Sequence, residues 1–161
     1  MIAVIFSFFT AWNSAHLFAA PIPFTSSSKL TSEKAGIYRS PLGFTIDAAE
    51  TGWVAISPAQ KNDFVVTTYE SPSKDAALTV RVDELKAPLS LDEYSKKWIK
   101  DYPRFGFDVL AAKKVKVGEE IAYLIDFVSA ENKKQLRQVL FLKNKHAITL
   151  TCRGSQTQFK N

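Results

Sequence analysis

The chain is expected to fold as an α+β domain: an antiparallel β-sheet carrying a helix on one face. Three observations predict this. Several segments alternate apolar and polar residues at period two, one segment repeats apolar residues at intervals of three and four, and the last two apolar runs are split by only Lys143, Asn144, Lys145 and His146.

In chain order, short strands are expected at Phe44 to Asp47, Trp53 to Ser57 and Phe64 to Glu70, where β-branched and aromatic residues gather. From Ala76 to Leu85, Leu78, Val80 and Val82 alternate with Thr79, Arg81 and Asp83. That pattern gives one face to the core and one to water, as in an antiparallel sheet. A helix follows from Leu91 to about Tyr102. Ser90 caps it, Glu93 completes a capping box, Leu91, Tyr94, Trp98 and Tyr102 form one apolar stripe, and Pro103 stops it. On this spacing the aromatic stripe packs on the sheet. Another strand is expected at Val109 to Val117. The Ile121 to Val128 run is apolar on both sides, with Ile121, Tyr123, Ile125 and Phe127 opposite Ala122, Leu124 and Val128, so a central strand covered on both faces is predicted. Leu136 to Leu142 and Ala147 to Cys152 then make a hairpin with Asn144 as its turn residue.

The ends read differently. Residues 1–20 contain no Lys, Arg, Asp or Glu, and the apolar stretch from Ile2 to Trp12 runs out into Ala19 and Ala20 before Pro21. About 11 apolar residues are too few for a bilayer core of roughly 30 Å and suit a secretory signal peptide. A buried N-terminal strand or an uncleaved anchor is the alternative, since no basic residue precedes Ile2. Residues 21–36 are rich in Ser, Thr and Pro and read as a flexible tether, leaving 37–161 as a single domain long enough for one core. No transmembrane segment is expected once the signal is removed, and the localisation read from it is periplasmic or secreted.

Residue counts restrict the chemistry. After the leader there is one Cys, Cys152, and one His, His146, six apart on one predicted strand and therefore roughly 20 Å apart along it. No metal site, no Cys–His nucleophile and no cofactor is expected from them. Cys152 continues the period of Ile148 and Leu150, which places it on the apolar face as an inert thiol or, in an exported protein, as one half of an intermolecular pair. The six glycines form no P-loop, G-x-S-x-G or G-x-G-x-x-G pattern. The acid pairs Asp83-Glu84, Asp92-Glu93 and Glu119-Glu120 read as solvated or dipole-matching carboxylates. Asp126, inside the most apolar strand, is the exception: either it is paired with a basic neighbour or at a sheet edge, or it serves acid–base chemistry near a pocket.

The segment from Tyr38 through Ser40-Pro41-Leu42-Gly43-Phe44 to Ile46, with Trp53 beyond it, resembles the opening of the PsbP-like superfamily. That superfamily includes periplasmic DcrB-like proteins and a Ran-binding nuclear import factor family. The helix start Ser90-Leu91-Asp92-Glu93-Tyr94, the Gly118 turn and the hairpin ending Leu150-Thr151-Cys152 follow in the same order. The resemblance implies an α/β/α sandwich in proteins that mostly bind or assist other assemblies. Two departures stand out. Ala48, Ala49 and Glu50 replace the Pro usual before the Trp, and Ser155 to Asn161 leaves about two turns for the C-terminal helix, so that helix is expected to be cut short.

Charge is uneven. Residues 1–95 hold seven basic and ten acidic groups, and 96–161 hold fourteen and six. The excess gathers at Lys113, Lys114, Lys116, Lys133, Lys134, Arg137, Lys143 and Lys145, a basic patch suited to an envelope protein or an anionic surface. Nucleic acid is not expected, because the aromatics lie on apolar faces and not between these bases. The function expected is a non-catalytic exported binding or assembly-accessory protein of the bacterial cell envelope. The alternative is a small exported hydrolase or ligand-carrying domain with Asp126 near a pocket.

Overall fold

The computed structural model describes residues 3–5, 37–56, 64–129, 131 and 134–159. The leader and tether fall outside these residues, apart from a three-residue strand. The strands are β1 (Ala3–Ile5), β2 (Ile37–Arg39), β3 (Thr45–Asp47), β4 (Val54–Ile56), β5 (Val65–Glu70), β6 (Ala77–Glu84), β7 (Phe107–Val117), β8 (Glu120–Ser129), β9 (Lys134–Lys143) and β10 (His146–Ser155). One α-helix, α1 (Leu91–Asp101), lies between β6 and β7 and tightens into a 3₁₀ turn over Tyr102–Phe105.

Seven strands form one antiparallel sheet in the order β4-β5-β6-β10-β9-β8-β7, and β1-β3-β2 form a small second sheet in which β1 runs parallel to β3. The predicted hairpin is present, with Lys143 opposite His146 and Asn144 at φ 56. Asn tolerates this left-handed conformation, which a β-branched residue would not. Gly118, at φ 62, turns β7 into β8 in the same way.

The order corrects one expectation. β10 is the central strand, whereas β8 lies next to the edge strand β7. β8 is still covered on both faces along its middle, with Ala122 and Ile125 fully buried, but Ile121 at its start is 54 % exposed. Edge proximity, which local periodicity does not encode, accounts for the difference.

Each face has its own core. On one, Leu78, Val80, Ile148, Leu150, Cys152, Val139, Phe141 and Leu124 pack with Ile46 of the small sheet, with Phe44 just before β3, and with Phe159, at the end of a 3₁₀ turn over Gln156–Phe159. On the other, Leu91, Tyr94, Trp98 and Ile99 of α1 and Tyr102 of the turn after it cover Ile125, Phe127, Leu140 and Ala147. The α-helical layer seen among the described residues is therefore on this second face, and the first is closed by strands and short turns. Aromatic rings join helix to sheet: Trp98 stacks on Tyr102 at 5.9 Å, and Tyr102 on Phe127 at 4.6 Å. Each such pair adds about 0.5–1.5 kcal/mol beyond area burial.

The helix start follows its sequence signal. Ser90 Oγ accepts from the Glu93 N–H at 3.2 Å, and Glu93 Oε2 accepts from the Ser90 N–H at 2.8 Å. No helix among the described residues is long and apolar enough to cross a membrane.

Candidate functional site

The eight basic residues singled out in the sequence do not form one patch. Lys113, Lys114 and Lys116 stand exposed on β7, whose outer side has no neighbouring strand among the described residues. Lys143 and Lys145 flank the β9–β10 turn, at the same end of the meander as the β7–β8 turn. Lys134 starts β9 at the opposite end, opposite Ser155, and Lys133 lies outside the described residues. Arg137 is apart from all of them, because it points into the sheet.

The β7 lysines are extended by the helix. Lys114 Nζ donates to Asp92 Oδ2 at 2.8 Å, so the side of α1 that carries Asp92 is the side turned to β7. Lys96 and Lys100 follow Asp92 at successive intervals of four and share its side of the helix, and both are exposed. Lys113 and Lys116 make no ion pair among the described residues. Edge strands are commonly guarded by lysines, because unpaired backbone there invites a further strand. Here Lys114 and Lys116 lie on the α1 side, with Lys116 opposite the 54 % exposed Ile121, while Lys113 points to the other face of the sheet.

Asp126 and Arg137 answer the question raised by the most apolar strand. They are cross-strand partners on β8 and β9, and they share the face of Leu124 and Val139. Arg137 Nε donates to Asp126 Oδ1 at 2.8 Å, and Nη2 to Oδ2 at 3.0 Å. The two side chains are only 13 % and 14 % exposed, and the guanidinium lies 5.5 Å from the Phe159 ring centre. Both carboxylate oxygens are thus occupied by a bidentate fork, the strongest common geometry for this pair. The basic neighbour expected for a carboxylate in this apolar strand is therefore Arg137. Arg137 accordingly serves the fold, while its charge is withdrawn from the surface.

Cys152 sits opposite Arg137 on β10 and is buried. Burial pushes its thiol up to about 12, with Arg137 offsetting part of the effect. Such a thiol carries almost no thiolate at neutral pH and is unreactive. His146 opens the same strand at the turn, six residues away. No group of three or more His, Cys, Asp or Glu among the described residues is arranged to hold a metal ion.

A second cluster escaped the sequence reading. The alternation places Thr79, Arg81 and Asp83 toward water, but all three are half-buried, and Arg81 and Asp83 lie near enough to α1 to act on Tyr94. Arg81 Nη2 donates to Asp83 Oδ1 at 3.1 Å, and its guanidinium lies 5.7 Å from the Phe64 ring centre. Burial raises the Tyr94 hydroxyl above its ordinary range, with Asp83 adding to the rise and Arg81 opposing it, so both charges act on the helix. Deeper in, the Tyr102 hydroxyl donates to Gln138 Oε1, and Gln138 Nε2 donates to Thr151 Oγ1 at 3.2 Å. Burial raises the Tyr102 hydroxyl too, which keeps it a donor. The available signal was the spacing of Arg81 and Asp83, two opposite charges on one side of a strand.

No protein-family model matches the sequence, and no curated protein does. Solved structures do match. The solution structure of cyanobacterial PsbP (CyanoP) from Synechocystis sp. PCC 6803 aligns at a TM-score of 0.56 and 12 % identity, over 83 % of this chain and 88 % of that one. The crystal structure of PA94, a protein of unknown function from Pseudomonas aeruginosa, aligns at 0.52 and 14 % identity, over 77 % and 85 %. The fold is therefore PsbP-like, as the order of elements suggested.

Proposed function

We propose that this PsbP-like domain is a non-catalytic, exported binding or assembly-accessory protein of the bacterial cell envelope, and that it meets an acidic partner through the β7 edge. One observation carries the reading: Lys116 stands exposed on the α1 side of an edge strand, Lys96 and Lys100 continue the charge along the adjoining helix, and Lys113 adds a further positive charge from the opposite side of the same strand. A row of like charges raises the local concentration of a negatively charged partner and speeds encounter, at a strength set by ionic strength. The titratable groups that could have served chemistry are committed elsewhere, with Asp126 held by Arg137 and Cys152 buried. The charge-free stretch at Ile2 to Trp12 supports export, and the likeness to CyanoP supports an accessory role.

The test is a charge reversal that leaves the Lys114–Asp92 bridge intact. Lys113→Glu with Lys116→Glu should abolish capture of the partner from envelope extract, with the melting curve of the domain unchanged. Capture by the wild type should weaken as salt shortens the Debye length below about 8 Å. Unchanged capture by the double variant overturns the reading.

A further inference from the structure

We propose that the outer edge of β3 is a strand-acceptor site: Ala3–Ile5 fills it in the uncleaved chain, and an extended apolar segment of a partner takes the same place, parallel to β3, once the leader is removed. The opening of this edge rests on the export proposed above, but the site does not depend on the β7 lysines. In the small sheet β3 is the middle strand, with β2 antiparallel on one side and β1 parallel on the other. Ala3, Val4 and Ile5 stand opposite Thr45, Ile46 and Asp47. Cleavage after Ala19 or Ala20 cuts these residues off from the domain, and so short a strand cannot hold its seat as a free peptide. The backbone groups of β3 that turn to β1 then need a new partner.

The edge is preorganised for one. Phe44 and Ile46 are anchored in the core, and the β2–β3 turn is tied by the Ser40 N–H to Phe44 O at 2.8 Å, the Gly43 N–H to Ser40 O at 3.0 Å and the Leu42 N–H to Ser40 Oγ at 3.1 Å. None of these bonds involves β1, so an incoming strand meets backbone that is already ordered. The edge is also unguarded. Lysines protect β7, whereas Thr45-Ile46-Asp47 contains neither Lys nor Pro, the residues that usually block strand addition. Finally, its occupant is exchangeable. A parallel pair cannot be joined by a tight turn, and residues 6–36 lie between β1 and β2. The seat of β1 therefore depends on backbone pairing and not on a hairpin, and a strand from another chain reproduces that pairing. Its chemistry follows from the bed: Phe44, Ile46 and Ala48 are all buried core residues in and beside β3, a setting for aliphatic and β-branched side chains such as those of Ala-Val-Ile.

The test uses the full chain with a specific protease site placed between Ala20 and Pro21. Amide hydrogen exchange is read before cleavage and after removal of the leader fragment. The β3 amides that face β1 should exchange about tenfold faster after release, while β9 and β10 keep their protection and report an intact fold. A peptide of residues 1–6 with a lysine tail for solubility should restore the protection of Thr45–Asp47 saturably. Its Val4→Pro form, which lacks one backbone donor, should bind about tenfold more weakly, and Lys116→Glu in the protein should change nothing. A paramagnetic label at the N-terminus of the peptide should broaden Thr45 more than Asp47, and one at its C-terminus the reverse, as parallel pairing requires. Exchange at β3 that ignores leader release, peptide protection that maps to β4 or β7, equal binding of the Val4→Pro form, or protection kept by concentration-dependent self-association would each overturn the proposal. N-terminal sequencing of the protein recovered from the native envelope tests export separately: a retained leader there overturns export, while the exchange experiment still decides whether β3 accepts a strand.

Discussion

Replacing Asp126 by Asn keeps the shape of the side chain and removes its charge, leaving the Arg137 guanidinium with one of its two acceptors. The two side chains are 13 % and 14 % exposed and joined by bonds of 2.8 and 3.0 Å, so water can replace little of what is lost. Breaking a buried pair costs about 3–5 kcal/mol, and the residual exposure places this one near ~3 kcal/mol. For a domain of this size each kcal/mol moves the melting point by about 3–5 °C, so the midpoint should fall by about 10 °C. Replacing both partners together, Asp126→Leu with Arg137→Met, removes the stranded charge. Stability should then return to within about 1 kcal/mol of the wild type, because a matched apolar pair often equals a buried ion pair. Urea unfolding followed by tryptophan fluorescence gives both values and, with Asp126→Leu and Arg137→Met also measured singly, the coupling energy between the two sites. A cost for Asp126→Asn below about 0.5 kcal/mol, or a double variant as damaged as the sum of its singles, would refute the structural assignment of the pair.

Two further outcomes follow from groups on either face. The Cys152 thiol has an ordinary value of 9.0 and is pushed up to about 12 by burial, so its contribution is whole below 9.0 and drains away as pH rises through about 12. Cys152→Ala should flatten the alkaline fall in stability above about pH 9, and native Cys152 should react with a thiol reagent only as fast as the chain unfolds. At the helix start, Ser90→Ala removes the cap on the Glu93 N–H and should cost about 1 kcal/mol, read as a lower urea midpoint. The hydrogen bonds from Ser90 hold the Glu93 carboxyl below its ordinary 4.5, so its part in the cap is present above that value and lost as pH falls through the lower folded one.

Local physics made much of this fold legible in the sequence. The alternation of Leu78, Val80 and Val82, the Ser90 and Glu93 signal, Asn144 between two apolar runs and the stripe from Leu91 to Tyr102 each depend on neighbours within one turn or one strand. What was not legible depends on pairing between distant segments. That β10 and not β8 is central follows from β6 joining β10 across more than sixty positions of sequence, a contact no local period records. Sequence proximity groups Arg137 with the lysines, although it is in phase with Val139 and Phe141 on the apolar side of β9. Its phase, set beside that of Asp126 with Leu124, was the signal that one strand pair would bury two opposite charges. The alternation puts Arg81 and Asp83 toward water, because the polar side of a strand usually faces it. Only the docking of α1 beside them turns that side into a half-enclosed surface.

The claim that the β7 edge is the working surface is tested most directly by placing a photo-activated cross-linker at position 113 or 116 in the native host. Position 73, in the exposed β5–β6 turn, serves as the control. Cross-links to one acidic envelope component from positions 113 and 116, lost when Lys96 and Lys100 are reversed to Glu and absent from position 73, are the predicted result. Equal cross-linking from all three positions, or none from the β7 edge, would contradict it.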